Sequence, residues 1–291
     1  MILMAIDHAS AFIARQHSSE FWAGAWSHYD QAFPFLTRLV THLCAPGFFF
    51  LMGAGIYWSS LSRPATAVRR TLTRGAIILL IGQVLETPII FWQGQLKPAA
   101  VQLSRVTAPP PNDGQPLFWG FITLSGLGMV MMLCGLLLKL PRAAWIAALA
   151  GSMILTNSFL PANGELDSAW RAILYAPGLA QGWLVVYPAL PWLAPAVGGL
   201  LFAAWWRRDP ETAQGRVWMV GLALVALALA LRAAGGWGNI RPPRDGSWIE
   251  FLNNIKYPPS LVFWSLAVGV DLLLLAALIR MPQRWLSPLV V

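Results

Sequence analysis

Residues 39–62 read LVTHLCAPGFFFLMGAGIYWSSLS, a run without a single Asp, Glu, Lys or Arg. It is long enough to cross the hydrocarbon core of a bilayer, which takes roughly 20 mostly apolar residues. The same reading carries outward along the chain. Residues 115–138, 143–164 and 172–206 are also free of charge, and 75–96, 217–234 and 257–279 carry one each: Glu86, Arg232 and Asp271. These are seven candidate spans. The first residues, MILMAIDHASAFIA, are apolar but too few to cross at about 1.5 Å per residue, so they read as the outer part of an eighth span whose start is missing. Asp7 and His8 inside that stretch, and the lack of a basic leader, argue against a signal peptide. The expectation is an all-α, polytopic membrane bundle of about eight spans, forming a single domain over residues 1–291.

Composition supports that solvent. Of the 291 residues 57% are hydrophobic and 11% charged, against about 25% charged in soluble domains, and the mean hydropathy is +0.59. A water-soluble globule is excluded. Cys44 and Cys134 lie in apolar stretches without a CxxC spacing and read as packing residues.

The net charge of +8 has a topological explanation. When the loops are assigned alternately to two sides, one side collects Arg63, Arg69, Arg70, Arg74, Lys139, Arg142, Arg207, Arg208, Arg216, Arg280 and Arg284 against only Asp209 and Glu211. By the positive-inside rule that side is cytoplasmic, as are both termini. The other side balances its basic and acidic residues. No basic run is interleaved with aromatics in a polar segment, so nucleic acid is not an expected partner. The outer loops, about residues 16–35, 94–117, 161–182 and 235–256, are long and rich in Trp, Asn, Gly and Pro, where function tends to reside.

Ionisable residues inside spans are costly and call for a partner or a purpose. Asp7, His8, Arg38 and His42 all fall toward the outer ends of the first two spans, and Arg38 and His42, four apart, share a helix face. This outward cluster, reachable from the loop holding His17 and His28, suits acid-base chemistry because imidazole exchanges protons near neutral pH. A structural Asp7–Arg38 ion pair with a packed His42 is the alternative. Glu86 precedes Thr87-Pro88, where a kink and an internal cavity are expected. Arg232 is expected to snorkel to the interface. Residues 187–192, YPALPW, are expected to break the sixth span in its outer half. GxxxxGK[ST], HExxH and CxxC are absent from the sequence, and no metal site is expected.

Asp7-His8, residues 41–55 (THLCAPGFFFLMGAG), residues 251–261 (FLNNIKYPPSL) and residues 187–192 together resemble the bacterial branch of the heparan-alpha-glucosaminide N-acetyltransferase family. The resemblance runs through the whole chain but implies a fragment, about eight of ten or eleven spans. It implies an inner-membrane enzyme that takes an acetyl or other acyl group from cytoplasmic acetyl-CoA and delivers it to a sugar or amino-sugar acceptor outside. It also implies a catalytic histidine in the first outer loop, which marks His28, with His42 and His8 as alternatives.

Acyl transfer needs a base for the acceptor proton and donors for the oxyanion. Asp7 would orient an imidazole. Arg38, Asn253, Lys256 and Tyr257 would meet the acceptor, and Arg69, Arg70 and Arg74 would meet coenzyme A phosphates. Lipid is the expected surrounding partner, and a homodimer is compatible with the sequence. A transporter of a small polar or anionic solute is the alternative, drawn from Glu86, Asp271 and the broken sixth span. A non-catalytic membrane scaffold is a third reading.

Overall fold

The computed structural model describes residues 5, 22, 29–88, 119–160, 166 and 168–282. The chain is a largely helical membrane protein. Its helices are α1 (Ala32–Thr41), α2 (Cys44–Ser62), α3 (Ala67–Ile81), α4 (Thr123–Leu137), α5 (Arg142–Ser158), α6 (Ala169–Leu174), α7 (Ala189–Arg208), α8 (Pro210–Ala234), α9 (Trp248–Leu252) and α10 (Leu261–Arg280). Among the described residues, four stretches are long and apolar enough to cross a membrane: Ala32–Ser62, Ala189–Arg208, Pro210–Ala234 and Leu261–Arg280. Thr123–Leu137 is a shorter apolar helix. Buried α7 forms the centre of the bundle, whereas only 22% of the apolar window of α8 is covered by protein. The remaining apolar surface of α8, including Met219, Leu222 and Leu229, suits lipid contact.

Local sequence sets the helix ends. Pro46 cannot donate a backbone N–H, and its ring would crowd the His42 carbonyl in a continuous helix. The 39–62 stretch accordingly divides into α1 and α2 at His42-Leu43. Asp209 caps α8 by accepting a hydrogen bond from Thr212 N (3.1 Å), with Pro210 in the first turn. Ser260 caps α10 through Phe263 N (3.0 Å).

Three helix pairs pack through glycines. A Cβ at Gly53 of α2 would overlap the Ala196 carbonyl of α7, and one at Gly199 would overlap the Phe50 carbonyl. Gly75 and Gly128 meet reciprocally between α3 and α4, as do Gly221 and Gly269 between α8 and α10. Lipid offers no hydrophobic drive for association, so close backbone approach across small residues is what holds such helices together.

The fold departs from purely helical expectation in the 172–206 interval. Pro177, Gly182 and Pro188 break it into α6, a hairpin and α7. Strands β2 (Gly178–Ala180) and β3 (Trp183–Val185) pair antiparallel through a turn at Gln181-Gly182, both with positive φ, as tight hairpins require. Strand β1 (Trp119–Phe121) joins β3 in parallel, giving the order β1-β3-β2. Non-helical backbone is tolerated at such a site because protein covers it; Val185 is wholly buried and Leu184 nearly so.

Candidate functional site

Two polar regions lie at opposite ends of α2. The first gathers around its start and that of α7. Arg38 and His42, placed together by α1, are both buried. Arg38 donates from a guanidinium nitrogen to Thr41 Oγ1 (3.4 Å), and the His42 ring meets Phe263 edge-on at 5.3 Å. Tyr187 enters from the segment before α7, and Lys256 and Tyr257 from the segment before α10. The two tyrosine hydroxyls are 3.1 Å apart, and Lys256 Nζ stands 5.0 Å above the Tyr257 ring. Phe49 and Trp192 complete the aromatic wall, with ring centroids 4.9 Å apart. The charges of Arg38 and Lys256 both act on the Tyr187 hydroxyl. Trp22, from the first long loop, donates its backbone N–H to Tyr257 O (2.8 Å) and its indole N–H to Pro177 O (2.9 Å).

Thus Arg38, Lys256 and Tyr257, expected to work together, gather about Tyr187, and His42, one turn beyond Arg38, packs on Phe263. Asp7, His8, His17 and His28 lie outside the described residues. Asn253 belongs elsewhere: its amide donates to Glu250 Oε1 (3.2 Å) and its carbonyl accepts from Arg232 (3.0 Å).

That second arrangement corrects the reading of Arg232 as a snorkelling residue. The side chain is 4% exposed and donates to Phe251 O (2.7 Å), Asn239 Oδ1 (3.1 Å), Arg241 O (2.6 Å), Glu250 O (2.8 Å) and Asn253 O (3.0 Å). The planar five-donor fork of arginine suits this set. It pins the 235–256 loop that leads to Lys256. Glu250, also buried, accepts from Arg244 N (3.3 Å) and from the Asn253 amide (3.2 Å).

Glu86 has a similar explanation. Its two carboxylate oxygens accept Thr123 N (3.1 Å) and Leu124 N (2.8 Å), so it caps the start of α4 from another element and complements the helix dipole. The expected irregularity before Pro88 is present as a π-helical turn, Gly82–Glu86. Asp271, halfway along α10, has Oδ2 buried without a hydrogen-bond partner and lies against Gly47 of α2.

The second polar region is a cleft of about 720 Å³ at the far end of α2, between the α2–α3 and α4–α5 connections. Tyr57, Arg69, Lys139 and Trp145 are among its lining residues. Trp145 is fixed by a hydrogen bond to Leu137 O (2.7 Å), and its ring meets that of Tyr57 at 6.2 Å. The three arginines of α3 do not act as one patch. Val68, Arg69, Leu72 and Thr73 face the cleft, and Arg70 and Arg74 are not among its lining residues. At about 100° per residue, Arg70 and Arg74 fall together on a different flank of the helix. Lys139, absent from the sequence-based set, takes their place; its signal was the turn between two uncharged runs.

No protein-family profile, curated protein or solved structure matches this chain. Among the described residues no group of three or more His, Cys, Asp and Glu side chains could hold a metal ion.

Proposed function

We infer that the protein is a membrane acyltransferase that moves an acetyl or other acyl group from cytoplasmic acetyl-CoA to a sugar or amino-sugar acceptor on the other face. The observation that carries this reading is the pairing of two polar regions across one helix. A cleft with Arg69 and Lys139 lies at one end of α2, and Arg38, Lys256 and Tyr257 lie about Tyr187 toward the other, where α1 also places His42. At 1.5 Å per residue the 19 residues of α2 span ~28 Å, close to a hydrocarbon core. The donor's phosphates fit the cations of the cleft, and its adenine fits the Tyr57 and Trp145 walls. At the opposite cluster His42, with His28 and His8 as the other candidates, accepts the acceptor's proton as the acceptor attacks the thioester carbon. Arg38 stabilises the developing oxyanion, and cleavage of the C–S bond releases coenzyme A as the thiol with that proton. The resemblance to the heparan-alpha-glucosaminide N-acetyltransferase family supports the same assignment. Eight spans, an inner-membrane location and cytoplasmic termini belong to this reading, as does association of two copies.

The test is acetyl transfer from labelled acetyl-CoA to glucosamine by the full chain in proteoliposomes. Transfer should fall at least a hundredfold on His42→Ala or His28→Ala. Undiminished transfer in the double variant refutes the histidine assignment, and no transfer by the natural chain refutes the activity.

One observation favours a transporter instead: the unpartnered Asp271 carboxylate oxygen at mid-helix. Solute flux that is abolished by Asp271→Asn and indifferent to both histidines would replace the acyltransferase reading.

A further inference from the structure

The cleft beside the α2–α3 connection sits at a definite depth. Its wall runs from Pro64 and Ala65 in that connection to Tyr57, little more than one turn before the end of α2 at Ser62, or ~8 Å along the helix. The cleft thus straddles the edge of the hydrocarbon and the headgroup zone, the depth at which glycerophospholipids carry their phosphates. Leu61, another wall residue, is 42% exposed, so the cleft opens toward lipid as well as toward water. At about 720 Å³ it has the capacity of a small-molecule site.

Its charge is positive and uncompensated. Arg69 and Lys139 line the cleft and are exposed, and among the described residues neither side chain has a hydrogen-bond or ion-pair partner. No Asp or Glu is among the lining residues. Asp209 and Glu211 belong to the α7–α8 connection, where Asp209 accepts from Thr212 N and feels Arg208 and Arg216. Glu86 caps the opposite end of α4. Two helices, α2 and α4, end beside the cleft and two, α3 and α5, begin there, so their dipoles offset one another and the two cations set the sign.

We propose that this cleft binds the phosphate of an anionic glycerophospholipid from the adjoining leaflet, and that lipid and acyl donor exclude one another there. The lipid site stands independently of the acyltransferase reading, and the exclusion rests on it. Arg69 presents a planar set of donors and Lys139 a point charge to the phosphate oxygens, in the manner of basic pockets between helices at a membrane surface. Trp145, whose indole N–H is engaged with Leu137 O, offers its ring to the glycerol, and the acyl chains leave past Leu61. A choline headgroup is disfavoured because it brings its own cation toward Arg69 and Lys139. The donor's phosphates need the same two cations, so an anionic leaflet restrains the enzyme.

The experiment is calorimetry on the detergent-solubilised full chain with dihexanoyl-phosphatidylglycerol, dihexanoyl-phosphatidylcholine and inorganic phosphate as probes. The phosphatidylglycerol should bind saturably and at least tenfold more tightly than either of the others. Arg69→Gln/Lys139→Gln should weaken it at least tenfold, whereas Arg70→Gln/Arg74→Gln, which removes the same charge from another flank of α3, should change it less than twofold. Equal binding of the two lipids overturns the proposal, as does equal weakening in the two double variants, the signature of surface charge alone. Inorganic phosphate binding as tightly as the lipid overturns the assignment to a headgroup. Acetyl-CoA is then titrated with and without saturating phosphatidylglycerol, which should weaken it at least tenfold. Acetyl-CoA binding that ignores bound lipid overturns the exclusion alone. Lipid binding as expected with no acetyl-CoA binding in either sample removes the acyltransferase reading, and the exclusion with it, and leaves the lipid site in place.

Discussion

Replacing Arg232 by lysine separates a buried hub from a snorkelling side chain, because lysine would snorkel equally well. The guanidinium serves five acceptors on the 235–256 loop, four of them backbone carbonyls. An ammonium offers three donors from a single point. At least two buried acceptors lose their partner in Arg232→Lys, each at about 1–3 kcal/mol. The expected loss is therefore about 2–6 kcal/mol. Arg232→Met goes further, since it removes the donor to all five acceptors instead of two. Thermal unfolding in detergent reads the global effect. Proteolysis within residues 241–247 reads the local one, and the loop should become cleavable in Arg232→Lys before the bundle melts. A lysine variant with natural unfolding temperature and natural protease resistance would refute the hub.

The remaining predictions concern capping and packing. Glu86→Ala removes a carboxylate that accepts from Thr123 N and Leu124 N and should destabilise the protein by about 1–2 kcal/mol in detergent unfolding; Glu86→Gln, which keeps one acceptor, should recover part of it. Gly199→Ala, whose new methyl would collide with the Phe50 carbonyl, should cost about 1–3 kcal/mol or more. Gly55→Ala meets nothing within 4 Å and should be neutral or stabilising by about 0.5–1 kcal/mol; equal effects at the two positions would contradict the close α2–α7 approach. The hydrogen bonds from Thr212 hold the Asp209 carboxyl below its ordinary value of 3.8. Its cap therefore stabilises the fold above pH 3.8 and loses that contribution as pH falls through the lowered value. Unfolding curves of Asp209→Ala should lie below those of the natural chain at neutral pH and converge with them at strongly acid pH.

The membrane character was legible because uncharged runs such as residues 39–62 need no tertiary information to be recognised. Helix starts were not marked by the apolar runs: those beginning at 217 and 257 missed the starts that Asp209-Pro210 and Ser260 set by capping. The 172–206 run misleads for a specific reason: absence of charge reports the solvent, not the backbone, and Pro177, Gly182 and Pro188 redirect a buried apolar chain into a hairpin. Among the polar residues, Arg38 and His42 could be placed together by helical spacing alone. Arg232 and Glu86 could not be assigned, since their partners, nearly all backbone groups, lie 7–21 and 37–38 residues away. Arg69, Arg70 and Arg74 look like one patch in sequence, yet helical geometry sends Arg69 to the cleft without the other two. Lys139 reaches the cleft only through the packing of α4 on α3, which no local pattern encodes.

The central claim is that the cleft between the α2–α3 and α4–α5 connections receives acetyl-CoA. Calorimetric titration of acetyl-CoA into the detergent-solubilised full chain tests it directly, with Arg69→Ala/Lys139→Ala and Arg70→Ala/Arg74→Ala measured alongside. The account predicts saturable binding that weakens at least tenfold in the first double variant and changes little in the second. Absent binding, or equal weakening in both, would contradict it.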